Sequence, residues 1–342
     1  MFIKEGVKWM SQSEITSKEL EQQVNNYQEK LAQIKREVSK IFVGQDGVVS
    51  GLIEALICDG HVLLEGIPGV GKTLVIRTLA KITGCSFSRI QFTPDLLPTD
   101  ILGITTYEEG KGFYTVKGPV FANFVLGDEI NRSPPKVQSA LLEAMQEKQV
   151  TIGKETFVLP YPFFVMATQN PLEQLGTYKL PEAQLDRFFF KLLMEYPTNE
   201  EELKILNTNI TTKKFEDYDL KPILDENQII EIQKLVKQIR IDQKMAEYII
   251  RIIDATRHPN KYDLKITKYI GIGASPRASI ALFLASKARA LMNNRTQVTP
   301  EEIRSVAKNV LRHRIIVNFE GQAEGITPEN IIDEILAKVK IL

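Results

Sequence analysis

Eight consecutive residues, Gly66-Ile67-Pro68-Gly69-Val70-Gly71-Lys72-Thr73, satisfy the pattern G-x-x-x-x-G-K-[ST]. Glycines in such a loop let backbone N–H groups turn toward one point, where a side chain would obstruct a phosphate oxygen. A short apolar run, His61–Glu65, precedes the loop and a helical pattern, Leu74–Ile82, follows it. That helix adds the positive end of its dipole. The backbone from Gly66 through Pro68, Gly69, Val70 and Gly71 to Lys72, Thr73 and Leu74 is therefore the expected phosphate cradle. Lys72 is placed to reach β- and γ-phosphates and Thr73 to ligate Mg2+. An ordinary glycine turn is the alternative, but it rarely has both flanks right.

A phosphate cradle with a metal needs a carboxylate. The apolar run Phe124-Val125-Leu126-Gly127 ends on Asp128-Glu129. Asp128 would hold Mg2+, directly or through water, and Glu129 would orient and polarise an attacking water. Adjacent acids at a strand end also serve to cap a following helix. A third run, Phe163–Ala167, leads into Thr168-Gln169-Asn170-Pro171. Asn170 then lies at the C-terminal end of a buried strand, where ligands sit in open α/β sheets; the alternative is an Asn that turns the chain before Pro171. Two arginines stand out, Arg187 in Leu185-Asp186-Arg187-Phe188 and Arg277 in Ser275-Pro276-Arg277. An arginine beside a γ-phosphate stabilises transition-state charge. Taken alone, each reads more simply as a surface ion pair.

The elements that must hold these groups follow from periodicity. Glu14–Ile41 has apolar residues at helical spacing, and a second helix runs from Asp46 to about Cys58. Strand-like runs at His61–Glu65, Ser88–Phe92, Phe124–Leu126 and Phe163–Ala167 alternate with helices such as Pro135–Gln146. That alternation implies an α/β fold with a parallel sheet covered on both faces. Residues 200–228 read as polar and irregular. Beyond them the patterns are helical: Gln228–Arg240, Gln243–Arg257, Pro276–Met292, Pro300–Leu311 and Pro328–Val339. The expected division is a helical arm over 1–40, an α/β core over 41–200, a linker over 201–225 and a helical lid over 226–342. Ile101–Lys117, around Gly110-Lys111-Gly112, and Gln149–Leu159, around Gly153-Lys154, read as hairpins.

Composition narrows the classes. Forty-three Lys and Arg balance forty-three Asp and Glu, which speaks against a globally basic nucleic-acid binder. The balance is uneven, because Ile229–Ile316 holds 17 basic and 7 acidic residues, a surplus of ten. That surplus reads as a solvated helical surface, as a face for phosphates or an acidic neighbouring subunit, or as a site for nucleic acid. No apolar run approaches the roughly 18–20 residues of a membrane span, so membrane insertion is not expected. Met1–Gln12 carries Lys4, Glu5 and Lys8 and lacks a signal peptide's apolar segment. Cys58 and Cys85 are expected as buried reduced thiols of a cytoplasmic protein. His61, His258 and His313 lie too far apart in sequence to suggest a metal site.

Together these segments resemble AAA+ ATPases, and within them the MoxR family. The loop reads GIPGVGKT, and Leu126–Met145 is similar to that family's DEINRAPPKVQSALLEAM stretch, with Gly127 where Ala is usual. Further likenesses are Gln91–Pro98, Ala167–Pro171, Leu180–Phe188 and Gly273–Arg277, so the resemblance spans roughly residues 40–342. It implies an enzyme that binds and hydrolyses Mg-ATP (ATP and Mg2+ as its cofactors). It implies adenine contacts at Val43, Gly44 and Gln45, Asn170 as first sensor, Arg187 as arginine finger and Arg277 as second sensor. The finger would act on ATP held by a neighbour, which requires a homo-oligomeric ring, a hexamer in the family; for Arg277 both its own subunit's site and the neighbour's stay open. The hairpins would approach the central pore, the alternative being that they extend the sheet. A chaperone-like role in maturing protein complexes or inserting metal centres is also implied, with a von Willebrand factor A domain partner and a client complex. A nucleic-acid-remodelling ring, helicase-like or transcription-activating, is the alternative; the activators' GAFTGA loop is absent.

Overall fold

A computed structural model of the chain describes residues 17–67, 69–171, 176–207, 215 and 218–341. Helix α1 (Ser17–Ile41) buries Leu20, Val24, Tyr27, Leu31, Ile34, Val38 and Ile41, the stripe that its periodicity predicts. Its expected start at Glu14 lies outside the described residues. Gly44 and Gln45 then take left-handed backbone (φ 77° and 57°) and turn the chain into α2 (Asp46–Ile57). Strand β1 (Val62–Gly66) leads through the glycine loop into α3 (Lys72–Ile82), and β2 (Phe87–Gln91) and α4 (Pro98–Leu102) follow. Next come the hairpin β3 (Gly103–Glu108) and β4 (Gly112–Lys117), then β5 (Phe124–Asp128) and α5 (Pro135–Glu147). A second hairpin, β6 (Gln149–Ile152) and β7 (Glu155–Val158), precedes β8 (Phe164–Gln169), α6 (Glu182–Leu185) and β9 (Phe190–Met194).

Five of these strands form one parallel sheet in the order β2-β5-β8-β1-β9. Residues alternate between its faces. Val62, Leu64, Phe124, Leu126, Phe164 and Met166 join one apolar cluster, and Leu63, Val125, Val165 and Ala167 the other. Both faces are covered, so the strands read as continuous apolar runs. Each hairpin is a separate two-stranded sheet, so neither extends the central one. The β3–β4 ribbon exposes Tyr107 and Phe113, whose ring centroids lie 5.2 Å apart.

Helix α7 (Asn199–Asn207) corrects the expectation of an irregular stretch from residue 200. It buries no residue, and Leu203 and Leu206 face solvent, so it carries no apolar stripe to read. The lid holds α8 (Glu226–Gln238), α9 (Gln243–Arg257), β10 (Ile270–Ile272), α10 (Pro276–Met292) and α11 (Pro300–Leu311). It ends with β11 (Ile316–Val317), α12 (Phe319–Ala323) and α13 (Pro328–Lys338), and β10 pairs antiparallel with β11. One apolar cluster runs from the sheet face through α1, α2 and α3 into α8–α11 and α13. Glu54 of α2, fully buried, meets Arg289 of α10 at 2.5 Å, and burial pushes its carboxyl up to about 7. Cys58 and Cys85 are free but only partly buried, since each sits at or just past a helix C-cap with one side open. No described helix is long and apolar enough to cross a membrane.

Candidate active site

The strand order sets the geometry. Strand β8 lies between β5 and β1, so the acidic pair after β5 and the glycine loop after β1 flank the end of β8. In the loop, Gly69 and Gly71 have φ of 83° and 86°. A Cβ on Gly69 would meet open space, whereas one on Gly71 would come within 3.0 Å of the Phe42 ring. Pro68 lies outside the described residues. Helix α3 starts at Lys72 with no side-chain cap on its N-cap Gly71, so no capping side chain takes its first N–H groups. Lys72 Nζ donates to Gly66 O (2.5 Å), which keeps the ammonium over the loop. Val70, Thr73 and Leu74 are half-buried beside it. The residues present fit an anion with a bound cation. Among the described residues no cluster of three His, Cys, Asp or Glu side chains could hold a metal alone, and Mg2+ is commonly held by one carboxylate plus phosphate oxygens.

Asp128 accepts the Thr168 hydroxyl at Oδ1 (2.7 Å) and Arg89 at Oδ2 (2.7 Å). Thr168 Oγ1 also accepts Glu129 N–H (2.9 Å). Glu129 Oε2 receives Gln91 Nε2 (2.8 Å) and Arg132 NH1 (2.9 Å). Asn170 is buried, and the register Glu65↔Gln169 places it beside Gly66. The segment Val43–Gln45 adjoins the same edge. Val43 and Gly44 line a 660 Å³ cavity with Ser39, Lys40, Glu201 and Lys204, and Gln45 Nε2 donates to Glu195 O (2.9 Å).

Arg187 and Arg277 lie elsewhere. They share a 130 Å³ cavity with His61, Leu142, Met145 and Gln146. His61 immediately precedes β1, and Arg187 precedes β9, which pairs in register from Val62↔Phe190. Both arginines therefore stand at the N-terminal edge of the sheet. The glycine loop stands at its C-terminal edge, a strand length of about 16 Å away. Both guanidinium groups are exposed; Arg187 NH1 donates to Leu142 O (3.4 Å), and Arg277 NH1 is 3.8 Å from Asp186 Oδ2. The His61 ring is fixed as one neutral tautomer, with Nε2–H donating to Met145 O and Nδ1 accepting Val165 N–H, and burial pushes its pKa down to about 4.

The model of the ATPase family associated with various cellular activities (AAA) matches residues 61–190, and that of the AAA lid domain matches residues 264–335. Chaperone MoxR1 of Mycobacterium tuberculosis is 46% identical over 307 residues, covering 89% of this chain and 80% of its own. Protein MoxR of Methylorubrum extorquens is 29% identical over 327 residues, covering 90% and 94%. The chain belongs to the MoxR family of AAA+ ATPases. A crystal structure from Cytophaga hutchinsonii, described as a candidate ATPase, superposes with a TM-score of 0.89 at 48% identity and covers 95% of this chain and 98% of its own.

Within this MoxR-family chain, several groups around the site escaped the sequence reading. Arg89, Gln91, Arg132 and Thr168 all contact the acidic pair directly. Gln91, Arg132 and Thr168 lie inside the matched stretches; Arg132 sits three residues from Glu129, but nothing local says which side chain Gln91 and Thr168 face. Only the β2-β5-β8 pairing shows it, through Gln91↔Asp128 and Gly127↔Ala167. Gly127 also gains a reason. A Cβ there would lie 3.2 Å from both Leu141 and Phe92, so glycine suits this packing.

Proposed function

We propose that this chain binds ATP at its own glycine loop and hydrolyses it with arginines supplied by a neighbouring copy. The observation that carries this reading is the separation of the two sets of groups onto opposite edges of one sheet. The loop N–H groups and Lys72 would bind the phosphates, and Val43, Gly44 and Gln45 with the cavity beside them would take the base. Thr73 and Asp128 would hold Mg2+, which offsets charge on the β- and γ-phosphate oxygens. Glu129, aimed by Thr168, Gln91 and Arg132, takes the proton of the attacking water, and Asn170 helps to place that water. Arg187 and Arg277 of the adjoining subunit would meet the charge that develops on the transferred phosphoryl group.

Action in trans requires a head-to-tail closed ring, a hexamer by family resemblance. The chaperone named in Mycobacterium tuberculosis supports a remodelling role. Under that role the exposed ribbon with Tyr107 and Phe113 would face the client. Maturation of protein complexes or metal centres, a von Willebrand factor A domain partner and a cytoplasmic setting complete the reading.

The test compares two variants in ATP-binding and phosphate-release assays. Lys72→Ala loses nucleotide binding. Glu129→Gln keeps binding but turns over slower by about 10²–10⁴-fold. Tight ATP binding by Lys72→Ala, or normal turnover by Glu129→Gln, contradicts the reading.

A further inference from the structure

Asp186 immediately precedes Arg187, and its carboxylate is shared among three lid residues. Oδ1 accepts Arg314 Nε (2.8 Å); Oδ2 accepts the Ser275 hydroxyl (2.8 Å) and lies 3.8 Å from Arg277 NH1. Ser275 Oγ in turn accepts Arg277 N–H (3.1 Å), so the cap of α10 belongs to the same network. Arg314 is 6% exposed. Its guanidinium also donates to the carbonyls of Asp186 (3.2 Å), Phe188 (2.7 Å), Phe189 (3.2 Å) and Val310 (2.5 Å). On either side, Arg312 NH1 donates to Lys191 O (2.9 Å) and His313 Nε2 to Phe188 O (3.1 Å). Three consecutive lid residues thus grip the backbone that carries Arg187 into β9.

A guanidinium buried this deeply needs a countercharge and satisfied donors. Asp186 supplies the first and the carbonyls the second. Such a pair contributes little net stability compared with an apolar replacement, and its best-attested use is to fix geometry. Here the geometry fixed is that of the two exposed arginines relative to each other, one on the core and one on the lid. Neither Asp186 nor Arg314 faces the phosphate cradle, so neither can act on the nucleotide of its own subunit.

We propose that Asp186 and Arg314 are positioning residues that lock Arg187 and Arg277 into one unit, so that both arrive together at the neighbouring subunit's nucleotide. This rests on the reading that the two arginines act across the interface. Lid and finger of a subunit then move as one body, and the lid's position sets the activity of the next site in the ring.

The test uses full-length Asp186→Asn, which keeps the side chain's size and removes its charge. Binding of a fluorescent ATP analogue at the variant's own loop stays unchanged, while kcat falls by about 100-fold. Mixing it with Glu129→Gln subunits, whose arginines are intact, restores turnover. If Asp186→Asn does not fold, Ser275→Gly replaces it, since Gly is well tolerated at an N-cap. Its turnover falls by about tenfold for one lost charged hydrogen bond and is restored in the same mixture. Normal turnover in the variant used overturns the proposal. So does a loss that mixing fails to restore while Arg187→Ala with Glu129→Gln recovers. If neither mixture recovers, action in trans itself is wrong and the proposal falls with it.

Discussion

Glu129 occupies left-handed backbone space (φ 58°, ψ 50°), a conformation that costs a non-glycine residue about 1–3 kcal/mol. Three bonds to neighbouring side chains and one from Arg132 N–H to its carbonyl hold it there, and the one from its N–H to Thr168 Oγ1 ties it to Asp128 through a single hydroxyl. Thr168→Val keeps the shape and removes that hydroxyl. The Glu129 N–H then loses its acceptor, so the variant is less stable by about 1–3 kcal/mol. Its turnover falls because Glu129 loses its aim. Denaturant unfolding and a phosphate-release assay read the two effects, and a variant unchanged in both would show the hydroxyl to be incidental. At this scale the sequence exposed what spacing can expose. Lys72, Thr73, Asp128 and Glu129 announce themselves because a contiguous loop and a strand end carry them. Arg89, Thr168 and Arg314 do not, because their partners lie 39, 40 and 128 positions away.

At the scale of elements, legibility follows burial. Helices α9, α10 and α11 start and stop where their patterns predict, because α9 and α11 each bury one face, α10 is buried on most sides, and a Ser-Pro or Thr-Pro start marks α10 and α11. Helix α7 escaped because it buries nothing. The trace that it did leave is a capping box, in which Thr198 and Glu201 bond each other's backbone N–H (2.8 and 3.3 Å). The β10–β11 pair, with three and two residues, is too short for a period-2 pattern. Helix α1 makes a sharper prediction. Its stripe packs into the cluster shared by sheet and lid, and Tyr27 bonds Glu231 of α8. Leu31, 2% exposed, should therefore behave as a core residue. Leu31→Ala lowers the unfolding free energy of the full chain by about 2–5 kcal/mol. A loss below about 0.5 kcal/mol, typical of surface positions, would make α1 a loosely attached arm.

For the whole molecule, the parallel sheet works as a spacer. The groups proposed to bind nucleotide collect at the C-terminal ends of β1, β5 and β8, and Arg187 and Arg277 stand at the N-terminal side of β1 and β9. Residue spacing shows both sets of groups but not the distance between them, because no local pattern tells which edge of a sheet a loop residue will occupy. The basic lid fits this arrangement. Its surplus of ten positive charges over Ile229–Ile316 offsets an acidic remainder, which suits head-to-tail packing of copies. The most direct measurement mixes Arg187→Ala subunits, which have an intact loop, with Lys72→Ala subunits, which have intact arginines. Neither variant turns over ATP alone. In a random ring of equal parts, about a quarter of the interfaces pair an intact loop with intact arginines, and phosphate release should return in proportion. Rings shown to be mixed that release phosphate no faster than either variant alone would contradict the account.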